Sequence, residues 1–239
     1  MKVVRWAVRT HKWVALIVGL QILLWIAGGL VMSAIPIEQV RGEHKIAVTE
    51  PLSVSPNVLI PLAEIAKKNE IDALTEASLG QLLGKPVWRI KTPDGRQYVI
   101  DAESATSLSP MTEQFASKLA EADYVGSGTL SKVELLTQPP SEYGLRGPVW
   151  QAKFKDTDAT TLYIDPETAE VRARRSSTWR FYDFFWKLHI MDYDDGKSFN
   201  HPLLITAAGA GLFVALSGLI LLFIKTRRTL IAWRRRSGS

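Results

Sequence analysis

Two uninterrupted apolar stretches, residues 13–35 and 202–224, bracket the rest of this chain. Each is 23 residues long and contains no Asp, Glu, Lys or Arg. At 1.5 Å of rise per residue, a helix of that length crosses a hydrocarbon core of about 30 Å with a little to spare. The chain is therefore expected to cross a membrane twice and to hold its middle on one side. The first stretch reads as an uncleaved anchor. It exceeds the roughly 7–15 apolar residues of a cleaved signal, and Val31-Met32-Ser33-Ala34 is a poor cleavage site.

The charges assign the sides. Lys2, Arg5, Arg9 and Lys12 precede the first stretch, and Lys225, Arg227, Arg228, Arg234, Arg235 and Arg236 follow the second. Neither flank (1–12 and 225–239) holds an acidic residue, so both termini are expected in the cytoplasm. The flanks take ten of the 29 Lys+Arg, and all 24 Asp+Glu lie in the middle, which is near −5 although the whole chain is +5. The basic residues thus stand where anionic headgroups are, which makes membrane lipid the expected partner and excludes a nucleic-acid footprint. Cysteine is absent, so an exported domain here uses neither disulfides nor thiolate chemistry.

About 165 residues separate the spans, enough for one ordinary domain or two small ones. Residues 36–56 are polar and punctuated by Pro, a juxtamembrane lead, and 57–68 carries Leu59, Leu62, Ile65 and Ala66 at helical spacing. An internal repeat is expected to organise the rest. Pro86-Val87-Trp88 returns as Pro148-Val149-Trp150, and Ile100-Asp101-Ala102-Glu103 returns as Ile164-Asp165-Pro166-Glu167, at offsets of 62 and 64. The two extra residues fall in the turns at 92–95 and 155–158, where a hairpin tolerates insertion. Alternation such as Val149, Gln151, Lys153 suits an antiparallel sheet solvated on one face. Ser109-Pro110 reads as an N-cap and first-turn proline for a helix over 111–124, with Phe115, Ala116, Leu119 and Ala120 as its apolar stripe. The expected fold class is α+β: a helix on a small antiparallel sheet, used twice, between two membrane helices.

Those residues carry a family resemblance. The stretches YVIDAESAT (98–106) and LYIDPETAEV (162–171) resemble PepSY domains. The segments RTHKWVALIVGLQILLWIAGGL (9–30) and WRFYDFFWKLHIMDYDDGKSFNHPLL (179–204) resemble the PepSY-associated transmembrane family. The resemblance implies a bacterial inner-membrane protein with a periplasmic tandem PepSY-like domain over 36–178 and an interfacial segment over 179–201. It also implies an accessory role beside an inner-membrane or periplasmic protein of a redox or iron-uptake system. Larger four-span relatives are linked to ferric-siderophore reduction and bind b-type haem through membrane histidines; other PepSY proteins are thought to restrain peptidases. This chain has two spans only.

Haem b is accordingly the one cofactor to weigh, with His11, His189 and His201 as its candidate ligands. His11 and His201 belong to opposite ends of an antiparallel hairpin, about 30 Å apart. One iron takes both axial nitrogens within about 4 Å, so within one protomer only His189 and His201 could share a site, and a haem on His11 requires a second chain, for instance in a homodimer, or a partner membrane protein. The competing expectations are an interfacial His11 beside Trp13 and a neutral His201 capping the first turn of the second span. A helix over 178–191 sets Tyr182, Phe185 and Trp186 on the face of His189. Trp179, Phe181, Tyr182, Phe184, Phe185 and Trp186 together read as an aromatic membrane-interface anchor. Asp192, Asp194 and Asp195 precede Gly196 but miss the spacing of a calcium loop, and read as a solvated turn. Ala207, Gly211 and Ala215 recur every four residues in the second span, a surface for close helix packing against the first span or a partner. No hydrolase, phosphate-loop or metalloprotease motif occurs, so a binding role is expected over a catalytic one.

Overall fold

The computed structural model describes residues 2–237 other than Asp195, Lys197 and Phe199. Its contacts separate the chain into two units: Met1–Pro36 with Tyr182–Ser239, and Ile37–Phe181.

The first unit holds two long helices, α1 (Lys2–Ala34) and a second at Pro202–Ser237. Within them Val8–Ala34 and Pro202–Trp233 are long and apolar enough to span a bilayer, each with mean hydropathy 2.4. Both helices run beyond the expected apolar stretches, because Lys and Arg are good helix formers and nothing in the flanks interrupts the ladder. Pro36 ends α1, since a proline cannot continue the helix and restricts the residue before it.

The two helices pack along seams of heptad spacing. On α1 the half-buried residues include His11, Val18 and Trp25, with Gly28 fully buried; on the second they include Leu204, Ala207, Gly211, Val214 and Gly218. A repeat of three and four residues is what a left-handed pair presents. Ala207 and Gly211 therefore lie in the seam. Ala215, four residues further on, has rotated out of it and is exposed beside Leu212, Leu216 and Leu219.

The second unit contains α2 (Ile37–Arg41), α3 (Leu62–Lys68), β1 (Glu76–Leu82), β2 (Lys85–Lys91), β3 (Gln97–Asp101), α4 (Glu113–Asp123), β4 (Thr129–Leu136), β5 (Val149–Lys155), β6 (Thr161–Ile164) and β7 (Val171–Arg175). Then α5 (Ser177–Ile190) begins, and α6 (Pro202–Ser237) is the second long helix. The strands form two antiparallel meanders, β1-β2-β3 and β4-β5-β6-β7. In the first, Trp88 pairs with Ile100; in the second, Trp150 pairs with Ile164. After each of these Ile residues comes an Asp whose Oδ1 accepts two backbone N–H groups: Asp101 from Glu103 and Ser104, Asp165 from Glu167 and Thr168.

One core joins both meanders through α4. Val87 and Val99 of the first meet Trp150, Leu162 and Ile164 of the second around Ala116, Leu119 and Ala120. The opposite face of the first sheet carries Ile90 and Ile100, covered by Ile65 and Ile71. The second sheet is also covered on both faces, with Val149, Tyr163 and Ala173 packing on Tyr143. The expectation of a solvated face thus fails at β5 and β6. Gln151 is buried there because its amide donates to Tyr163 Oη at 2.8 Å, so a polar residue in the alternation marks an internal hydrogen bond.

Two helix starts also differ from expectation. Thr112, not Ser109, caps α4 by accepting the N–H of Phe115. Residues 109–111 instead stitch the two sheets together: Ser109 Oγ accepts from Val99 N and donates to Glu167 O, and Met111 N donates to Pro166 O. The helix expected from residue 57 begins at Leu62, after a short turn at Pro56–Val58. The β1–β2 hairpin has two residues at positive φ, Leu83 at 51° and Gly84 at 75°. Leucine costs about 1 kcal/mol or more there, whereas Asn tolerates the left-handed region. Leu83→Asn is expected to stabilise the protein by about 1 kcal/mol, read as a higher midpoint of thermal unfolding.

Candidate functional site

The most heavily bonded place in the second unit is where its entering and leaving segments meet. The entering segment follows α2 through a short turn at Glu43–Lys45 and bonds to the end of α4: Ala47 N donates to Asp123 O, and Val125 N to Lys45 O. The leaving segment is the joint between β7 and α5, where Ser177 N donates to Asp158 O at 2.7 Å. Between them lies the β5–β6 turn with Asp156, Asp158 and Thr160.

Lys45 and Asp156 are the hub. The Lys45 ammonium donates to Asp156 at 3.0 Å, Asp158 at 2.5 Å and Thr160 Oγ1 at 3.1 Å, which uses its three protons. The Asp156 side chain is only 2% exposed. It also accepts from Tyr124 Oη at 2.8 Å, Thr160 N at 2.8 Å and Thr160 Oγ1 at 2.6 Å. Burial alone would raise the Asp156 carboxyl, but the bonds from Thr160, Lys45 and Tyr124 outweigh it and hold the group far below the usual carboxylate range. Burial would likewise lower Lys45, and its two aspartates instead raise it. Gly128 makes the approach feasible, since a Cβ there would lie 2.6 Å from Asp156 Cβ.

Two further charge pairs fasten the leaving segment. Arg174 grips Asp123 with two nitrogens, one at 2.7 Å from Oδ1. Arg180 donates to both oxygens of Glu142, at 2.8 and 3.0 Å, and Tyr163 Oη donates to Glu142 at 2.7 Å. Burial pushes the Tyr163 hydroxyl up and its bond to Glu142 adds to that, while Arg180 and Tyr163 together overcome burial and lower Glu142. The Arg175 guanidinium stacks over Trp179 at 4.1 Å from the ring centroid. Beside the Lys45 cluster lies a cavity of about 330 Å³ with an apolar floor of Val40, Leu162 and Tyr124 and with His44 and Thr178 at its rim. Lys45, Asp158 and Arg174 of its lining are engaged in ion pairs, which fasten segments of the chain to one another.

The membrane histidines are placed separately, in the first unit. His11 Nδ1 lies 2.7 Å from Ser217 Oγ, which is also 2.7 Å from Phe213 O. The ring rests on Gly218, where a Cβ would come within 3.4 Å. His189 rests on Gly28 of α1, and its Nδ1 is buried with no partner among the described residues. His201 caps α6: Nδ1 accepts from Leu204 N at 3.3 Å, and Nε2 donates to Ile190 O at 2.9 Å. Gly28 stands 17 positions along α1 from His11, roughly 25 Å, so His11 and His189 cannot share an iron. His201 has both nitrogens engaged. The histidines of one chain, as bonded, do not fit a bis-histidine haem.

The aromatic segment divides. Phe181 and Phe184 are exposed, whereas Trp179, Tyr182, Phe185 and Trp186 are half-buried, with Trp186 Nε1 donating to Gly196 O at 3.1 Å. Asp192 accepts from Asp194 N and Ser198 N, a self-bonded turn, while Asp195 lies outside the described residues. Among the described residues, no three His, Asp or Glu side chains converge on a metal-sized point.

The Lys45–Asp156 hub is absent from the sequence reading. Its one signal is a hairpin turn, Asp156-Thr157-Asp158-Ala159-Thr160, that is rich in acceptors and carries no Gly or Pro. Asp156, Asp158 and Thr160 of that turn all bond to Lys45.

No curated protein and no solved structure matches the chain. The family model of the PepSY-associated TM region matches residues 8–239, which takes in both apolar helices and all of the α+β domain between them. Two apolar helices at the ends, two antiparallel sheets between them and this match over nearly the whole length agree: the chain is a membrane protein that belongs to the PepSY-associated TM region family.

Proposed function

We propose that this protein is a non-catalytic accessory subunit of a redox or iron-uptake system in a bacterial inner membrane, with both termini cytoplasmic and the α+β domain periplasmic. The two meanders are read as two copies of one PepSY-like unit that present sheet faces and edges to a partner protein. One observation carries the reading: the least exposed charge pairs of the domain, Lys45 with Asp156 and Asp158, Arg174 with Asp123, and Arg180 with Glu142, fasten the entering and leaving segments to it. Charge deployed in that way makes a mount. The same groups in a catalytic site would be left open to a substrate.

The competing reading is a haem-bearing electron-transfer subunit. His11 favours it in one respect, because Nδ1 is bonded to Ser217 while Nε2 has no bonded partner among the described residues. An absorption spectrum of the detergent-solubilised protein separates the two. Colourless protein that co-purifies with a redox or iron-transport membrane protein is the expected result. A stoichiometric Soret band lost in His189→Ala or His11→Ala would replace our reading with the second.

A further inference from the structure

The lead between residues 48 and 54 crosses the outer edge of the first sheet as an extended strap, and among the described residues one side chain bonds its backbone. Gln81, on the edge strand β1, accepts the N–H of Leu52 at Oε1, 2.7 Å away, and donates from Nε2 to the carbonyl of Glu50 at 2.9 Å. A carbonyl and an N–H two residues apart are the pair that a neighbouring strand would use, so the glutamine amide reads this segment as main chain, independent of its side chains.

The strap also underfills its seat. Val48 is 95% exposed and Leu52 40% exposed. A hollow of about 460 Å³ beside Val48 is lined by Leu82, Leu83, Leu119 and Ala122. Another of about 340 Å³ beside Leu52 and Val54 is lined by Leu79 and Gln81. An amide that grips main chain and two hollows with aliphatic walls, one on either side of Gln81, describe the occupant.

We propose that the edge of β1 around Gln81 is a docking seat for an extended peptide segment of a partner protein, one with bulky aliphatic side chains about four residues apart, and that residues 48–54 are the chain's own displaceable occupant. The proposal rests on the accessory reading above and specifies the chemistry of the partner. Pro51 suits the strap to this role: it has no N–H, so the occupied seat offers a poor edge to further strands.

The test uses the full chain in detergent and a fluorescein-labelled peptide of residues 47–55. Replacing Glu50, Pro51 and Leu52 by Gly, Ser and Gly loosens the strap, and the labelled peptide is expected to bind this variant at least tenfold tighter than the unaltered chain. Adding Gln81→Ala should weaken that binding at least tenfold. Equal binding with and without Gln81, or none to the loosened variant, overturns the proposal. Should that variant misfold, hydrogen exchange in Gln81→Ala alone decides: the Leu52 amide exchanges at least tenfold faster while β1 and α4 keep their protection, or the proposal falls. Failure in either assay from a protein that still co-purifies with its redox or iron-transport partner removes the peptide seat and leaves the accessory reading intact.

Discussion

Asp156→Ala is expected to cost about 3 kcal/mol or more, and to release the entering segment from the domain. The carboxylate is 2% exposed and accepts bonds from Lys45, Tyr124 and Thr160, so its removal orphans donors from three parts of the chain at once. Breaking one side of a buried ion pair typically costs about 3–5 kcal/mol, because the remaining charge stays buried without its partner. Asp158 still holds Lys45, which places the estimate at the lower end. For a chain of this size the loss corresponds to a fall of roughly 6–12 °C in thermal midpoint. Limited trypsin digestion should find Arg41 and Lys45 several-fold sooner in the variant. Asp156→Asn keeps an acceptor for Thr160 and should lose less; equal loss from both would mean that charge plays no part.

The same hub fixes a pH window. The Asp156 pKa is depressed below its ordinary 3.8, so its contribution is complete above about pH 4 and is lost as the pH falls through the folded value. Lys45 is raised above its ordinary 10.5, so its contribution is complete below that and is lost as the pH climbs past the raised value. The contribution of this hub to stability is therefore expected to be flat between the two and to fall on both sides. In Asp156→Ala the acid limb should flatten, a change that melting curves over the acid range will register.

What the sequence discloses about this fold depends on how local the cause is. The membrane helices are written in long stretches without Asp, Glu, Lys or Arg, and α4 in a stripe of Phe115, Ala116, Leu119 and Ala120, so both are legible. The N-terminal ends of helices are less so, because caps compete: Ser109 has the right chemistry to cap α4 but is drawn away by Val99 and Glu167 across the sheets, and Thr112 takes the role. Burial of Gln151 depends on Tyr163 on the next strand and on Glu142, which accepts from Tyr163, and alternation reports none of that. The hub is the extreme case. Lys45 and Asp156 are separated by 111 positions, and nothing near either residue announces the other. The four-residue ladder in α6 divides, since a packed pair of helices repeats at 3.5, so that Ala207 and Gly211 fall in the seam and Ala215 on the exposed side.

Gly28→Leu is expected to dislodge the end of α5 from α1. A Cβ at Gly28 would sit 3.4 Å from the Phe185 carbonyl oxygen and 3.6 Å from Cβ and Nδ1 of His189, which is ordinary contact. Gly28→Ala is therefore nearly silent. The further atoms of Leu would crowd a backbone carbonyl and an imidazole, and overpacking of that kind costs about 1–3 kcal/mol. Small residues matter more here than in a soluble core, because lipid supplies no hydrophobic drive and close approach is what holds helices together. In hydrogen exchange, amides of the His189 turn should open roughly 5–150-fold more often in the Leu variant, the same free energy read as a rate ratio. The Lys45–Asp156 region should keep its protection, since none of the atoms that would be displaced belongs to it. An alanine variant as disturbed as the leucine one would contradict the steric account: it would assign to Gly28 a backbone role that its helical position does not require, and His189 would then owe its burial to something other than the absence of a side chain on α1.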